Sequence, residues 1–158
     1  MAVRVFGLLS LFVLCVCVSV VSSCRCIQQS NYQKFCSSNI VVKATVWFDV
    51  TSSFSYNEYY AVVTMVYRAV PPAPSPAPFW IRVITPSSSA ACGVSISIGD
   101  EFLFSASHLD TSIFPPYMSV NSCGWNVLAS SLTDSDLYGL ENWICFALHP
   151  PYRPDSTS

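Results

Sequence analysis

The stretch Cys24-Arg25-Cys26 combines residue types and a spacing that can do chemistry. In an extended segment, residues two apart point to the same side, so Cys24 and Cys26 face the protein while Arg25 points away. If the chain is cut after Ser23, Cys24 becomes the first residue. Its α-amino nitrogen and its own carbonyl oxygen can then close a five-membered chelate on a metal ion. A terminal amine titrates near pH ~8, so a minority is unprotonated at neutral pH and an encountered zinc favours that form. A catalytic zinc keeps an open position that such a group can occupy. The plainer role of Cys24-x-Cys26 is to tie down an end that would otherwise fray, and the two roles are compatible.

The other chemically capable side chains point to structure rather than catalysis. His108 and His149 stand in no metal-ligand spacing and no recognisable nucleophile motif, so both read as ordinary surface histidines. Asp100-Glu101 and Asp134/Asp136 sit at an expected turn and helix start, where acids belong for structural reasons. No catalytic residue is assigned, and the chain is read as not an enzyme. A clustering of His108 or His149 with acids in a pocket would revive that class.

These residues depend on export. Residues 1–23 have a single charge, Arg4, then an apolar run from Val5 to Val21, with Val21 and Ser23 small enough for the −3 and −1 cleavage positions. They are read as a signal peptide, in preference to a retained anchor helix or a lipidated Cys24. Residues 24–149 then form one domain and 150–158 a flexible tail. Cleavage removes Cys15 and Cys17 and leaves six cysteines, Cys24, Cys26, Cys36, Cys92, Cys123 and Cys145. An even count in an oxidising compartment implies three disulfides, with 15 pairings open.

Losing Arg4 leaves six basic residues against nine acidic ones, a net charge of −3 without a run of like charge. A nucleic-acid or heparin-like partner held by a basic face is therefore not expected. No second apolar stretch has spanning length, so the mature protein is expected to stay out of the membrane. No Asn-x-Ser/Thr acceptor occurs.

The elements that must position Cys24 are mostly strands. Residues 40–50, 59–68, 79–85, 93–98, 101–107 and 117–121 have strand composition, and Gly99-Asp100 suggests a hairpin between two of them. Short strands with little helix suggest a sandwich or small closed barrel, which removes exposed edges. Ser30 can cap a short helix through Tyr32 and Phe35 to Cys36. Thr133 can cap another, with Asp136 completing a capping box and Leu137, Leu140 and Ile144 on one face. Val70 to Pro78, with five prolines, reads as a stiff extended connection between strands.

With these elements in place, a resemblance emerges. Cys24-Arg-Cys26, nine residues to Phe35-Cys36, and Ser38-Asn-Ile-Val-Val-Lys-Ala-Thr-Val46 resemble the start of the tissue inhibitors of metalloproteinases and the wider netrin-like module. Thr85-Pro-Ser-Ser-Ser-Ala-Ala-Cys92-Gly-Val-Ser-Ile96 resembles the segment carrying that family's fourth cysteine, and Gly99-Asp-Glu-Phe-Leu-Phe104 the stretch after it. Cys123 and Cys145 lie at distances similar to those of the fifth and sixth.

The resemblance implies a mainly β fold, a five-stranded closed barrel of the oligonucleotide-binding type with flanking short helices. It also implies the disulfides Cys24–Cys92, Cys26–Cys123 and Cys36–Cys145, each of which stabilises the fold by closing a long loop. The implied function is secreted, extracellular inhibition of a zinc metalloproteinase by a monomer. Cys24 chelates the target's zinc, Arg25 enters the pocket beside it, Cys26 and Ile27 continue along the cleft, and Ser89, Ala90 and Ala91 pack on the other side. The protein needs no cofactor of its own, since the zinc belongs to the protease.

Three departures bear on this reading. Arg25 replaces a small hydroxyl residue and must be desolvated, which either abolishes inhibition of ordinary matrix metalloproteinases or redirects it to a pocket that is deep, wet or acidic. Gln28 replaces proline and leaves the segment less preorganised. A second, six-cysteine domain is not expected after Cys145. The alternative is a secreted netrin-like module that does not inhibit and binds a matrix or receptor protein.

Overall fold

The computed structural model describes residues 24–52, 54–70, 72–73 and 76–145. The expected signal peptide, the tail from 150 and His149 lie outside the described residues, as does part of the proline-rich connection. The elements are helix α1 (Asn31–Ser37), strands β1 (Ile40–Ser52), β2 (Tyr56–Ala69), β3 (Phe79–Pro86), β4 (Glu101–Ala106), β5 (His108–Asp110), β6 (Tyr117–Ser119) and β7 (Val127–Leu128), and helix α2 (Asp134–Asn142). Short 3-10 turns occupy Ser89–Ala91 and Ala129–Ser131.

Alternation along β1 explains the two layers of core. Ile40, Val42, Ala44 and Val46 face one cluster, which Val63, Ile81, Val83, Phe104, Leu109 and Met118 complete from the other strands. Val41, on the opposite face, joins Phe35, Leu103, Trp125 and Leu140 beneath the two helices. A strand with apolar residues on both faces must be covered on both sides, and here the helices cover one end of its outer face.

The strands form one sheet in the order β5-β6-β3-β2-β1-β4-β7, antiparallel except for β3 against β6. This corrects the expected five-stranded closed barrel: among the described residues the strands number seven and the sheet is not closed. Two local causes are visible. β1 begins at Ile40, opposite Ala106, so its ladder with β4 ends there; the carbonyl of the next residue, Ser107, accepts from the Asn39 side chain, and pairing with β6 starts only from His108. On its other edge β4 already carries β7, at Phe102 and Leu103. The sheet still curls, because residues of β1 to β6 share one apolar cluster.

The strand expected at 93–98 does not form, nor does the hairpin at Gly99-Asp100. That turn docks on β1 instead, with Gly99 N–H donating to the Val46 carbonyl and Val46 N–H to that of Asp100. Both helices begin as expected, each with a reciprocal capping box, Ser30 with Gln33 and Thr133 with Asp136. The expected apolar face of α2 is only partly realised. Leu140 is buried, but the helix ends at Asn142 and leaves Ile144 exposed.

Candidate functional site

Three segments meet at the start of the described chain: residues 24–30, 86–99 and 119–126. Disulfides Cys24–Cys92 and Cys26–Cys123 join them, each with Cα atoms 5.1 Å apart. The third bridge, Cys36–Cys145, ties α1 to the chain after α2, away from this meeting point. The first two bridges pack against each other, with the Cys24 sulfur 3.9 Å from those of Cys26 and Cys123. Ser122 Oγ lies 3.6 Å from Cys24 Sγ, and Ser122 N–H donates to the Cys92 carbonyl.

The Cys92 segment is shaped by its own backbone. Ser88 caps the 3-10 turn, its carbonyl accepting from the N–H groups of Ala91 and Gly93. Cys92 closes that turn in the left-handed region at φ 66°, a conformation that a non-glycine residue adopts only at a cost. Gly93 follows because nothing larger fits: a Cβ there would lie 2.2 Å from the Pro86 carbonyl oxygen. Val94 N–H is then captured by the buried hydroxyl of Thr85 at 2.9 Å. This sequence of contacts turns Ser89, Ala90 and Ala91 outward, where all three are exposed.

The 119–126 segment has an equivalent frame. Asn121 Oδ1 accepts from Cys123 N–H and its carbonyl from the Asn126 side chain, while Asn126 Oδ1 accepts from Ser105 N–H on β4. The cysteine that holds Cys26 is thereby fixed to the main sheet.

The resulting surface is small-residue and almost uncharged. Arg25 is exposed, and it is the one charged residue in the three segments. The ion pairs among the described residues are Lys43–Glu101 and Arg82–Glu58, so Arg25 has none of its own there. Ile27 is 84% exposed, and Cys26 to Ser30 line a groove with Lys34. Of the expected contact residues, Cys24, Arg25, Cys26 and Ile27 lie on one segment, which the Cys24–Cys92 bridge joins to the segment of Ser89, Ala90 and Ala91 to form one ridge.

The four sulfurs of Cys24, Cys26, Cys92 and Cys123 lie within 4.8 Å of one another, a spacing that would suit a metal ion. All four are committed to disulfides, which leaves no thiolate for that purpose. His108 is elsewhere, on β5, with its ring tilted against Tyr117. Asp110, two residues on, is held below the ordinary carboxylate range by hydrogen bonds from Ser112.

Sequence reasoning passed over two features. Ser122 and Gly93 frame the ridge through contacts that local pattern does not reveal. A second exposed surface lies on the outer face of β1, β2 and β3, where Trp47, Phe48, Tyr60 and Trp80 have ring centroids 5.1–6.4 Å apart in successive pairs. A register shift between Val46 and Phe48 places Trp47 and Phe48 there together, Trp47 being 59% exposed.

A family model described as tissue inhibitor of metalloproteinase matches residues 22–144. No curated protein matches the chain.

Proposed function

The chain belongs to the tissue inhibitor of metalloproteinase family, and from that premise we propose that it is a secreted inhibitor that blocks a zinc metalloproteinase with its N-terminal ridge. Domains of this family are extracellular, and three disulfides fit an oxidising compartment. Cleavage after Ser23 is part of the proposal, because the chemistry needs a free amine on Cys24.

In this reading the Cys24 amino nitrogen and carbonyl oxygen bind the target's catalytic zinc and occupy the position its water would use. Arg25 enters the adjacent pocket, Cys26 and Ile27 follow the cleft, and Ser89, Ala90 and Ala91 seat against the opposite wall. The observation that carries the reading is the double tether. Two disulfides on residues 24 and 26 fix an exposed end to two framed segments, so little ordering entropy remains to be lost on binding.

The test is to compare the protein beginning at Cys24 with a version carrying one extra alanine before it. We expect the extension to weaken inhibition at least 100-fold with no change in Tm, since it adds a peptide bond to the chelating nitrogen. Equal inhibition by both forms would sink the chelate. The alternative, a netrin-like module that binds a matrix or receptor protein without inhibiting, is favoured by the exposed Trp47, Phe48, Tyr60 and Trp80 cluster. Such rings serve well as contact anchors, and none of the four is among the residues assigned to the ridge. Binding of such a protein with no inhibition of any metalloproteinase would favour it.

A further inference from the structure

We propose that the target protease carries a carboxylate at the base of the pocket that receives Arg25, and so belongs to the metalloproteinases that cleave before a basic residue. The proposal rests on the chelating role given to Cys24 above.

The direction of Arg25 follows from its neighbours. Cys24 and Cys26 are both drawn inward by their disulfides, which leaves the intervening side chain pointing out of the ridge. If the first residue sits on the zinc, the second occupies the place of the substrate residue just after the scissile bond. Its side chain therefore enters the specificity pocket on that side of the metal.

The charge of the ridge narrows what that pocket contains. Segments 24–30, 86–99 and 119–126 supply no carboxylate, and Arg25 is their one charge. The groove beside the ridge adds another cation, Lys34. A mature chain with six basic residues against nine acidic ones thus presents a locally positive face at its proposed contact surface. A guanidinium closed off from water inside an apolar pocket loses its hydration and gains nothing in return. The same group forked onto a carboxylate makes two charge-assisted hydrogen bonds. Arg25 has no intramolecular ion pair among the described residues to break first. The long side chain places the matching acid deep in the pocket rather than at its mouth. Recognition of this kind selects by repulsion as well as attraction, since an apolar pocket suited to a small residue would exclude Arg25.

The experiment uses the secreted protein with its N-terminus verified by mass spectrometry, together with Arg25→Thr, Arg25→Glu and the alanine-extended form. Each is titrated against two zinc metalloproteinases, one that cleaves before Arg or Lys and one that cleaves before apolar residues. The wild-type protein is expected to inhibit the first at least 100-fold more tightly than the second. Arg25→Thr should lose at least tenfold on the first and gain on the second, and Arg25→Glu should lose most on the first. Arg25 is exposed and lies off the apolar clusters, so the variants are expected to keep the wild-type Tm. Unchanged selectivity in Arg25→Thr would overturn the proposal. So would Arg25→Thr inhibiting the second enzyme while the wild type inhibits neither, although the chelate would then survive. Full inhibition by the alanine-extended form, whatever Arg25 does, would overturn the chelate itself.

Discussion

At the scale of single residues, the ridge depends on one glycine whose role is steric. The Cβ of an alanine at position 93 would meet backbone carbonyl oxygens at 2.2 Å from Pro86 and 2.9 Å from Ser88, neither of which is the end of a flexible side chain. Gly93→Ala must therefore push the Ser89–Ala91 turn off its position. We expect it to lower Tm by several degrees and to weaken inhibition at least tenfold. Thermal unfolding followed by inhibitor titration checks this, and unchanged inhibition would show that the turn is not part of the contact. The inward set of Cys24 and Cys26, with Arg25 exposed between them, was legible from the two-residue spacing of the cysteines, because alternation in an extended segment is a local property, whereas the inhibitory roles proposed for them came only with the family resemblance. Gly93 and Ser122 were not, since what they approach lies several residues away or on a separate segment.

Among the elements, the helices were the most readable and the 93–98 segment the least. Ser30 with Gln33, and Thr133 with Asp136, announce helix starts through side chains that satisfy backbone donors within four residues. Val94, Ile96 and Ile98 alternate as a strand would, yet the N–H groups of Gly93 and Val94 are taken by Ser88 and Thr85 before any ladder can form. Asp136 links the two helices, accepting from Thr133 and from the Asn31 side chain. Hydrogen bonding to Thr133 is the main reason that its carboxyl titrates below the ordinary range, against a smaller opposing effect of burial. A lowered folded-state pKa contributes stability that is fully present above the unfolded value near pH ~4 and is lost as pH falls through the folded value. Asp136→Asn should accordingly cost about 1 kcal/mol at neutral pH and flatten the decline of Tm between pH 5 and pH 2. Melting curves across roughly that range decide it, and an unaltered acid profile would contradict the assignment.

Across the whole molecule, the two tethers of the ridge and the Cys36–Cys145 bridge are expected to have separable duties. Cys36–Cys145 closes a separation of 109 residues, for which the chain-entropy estimate is about 4–5 kcal/mol. The Cys36→Ser/Cys145→Ser pair should lower Tm by well over ten degrees while leaving inhibition intact at temperatures where the protein is folded. The Cys26→Ser/Cys123→Ser pair should weaken inhibition at least tenfold under the same conditions. Six cysteines announced three bridges, but their pairing is a property of the fold and came into view only with the family resemblance. Mainly β structure was readable from composition. Closure of the sheet was misjudged, because it turns on the break in pairing at Ser107 between β4 and β5 and on β7 occupying the other edge of β4, neither of which is a local property of the sequence. The central claim remains that Cys24 binds the target's zinc through its own amine and carbonyl. Its most direct test is the absorption spectrum of a cobalt-substituted metalloproteinase that the protein inhibits. Addition of the form beginning at Cys24 should shift the cobalt bands as nitrogen and oxygen enter the coordination sphere, and the alanine-extended form should not shift them. Inhibition by the Cys24 form with an unchanged cobalt spectrum would contradict the claim.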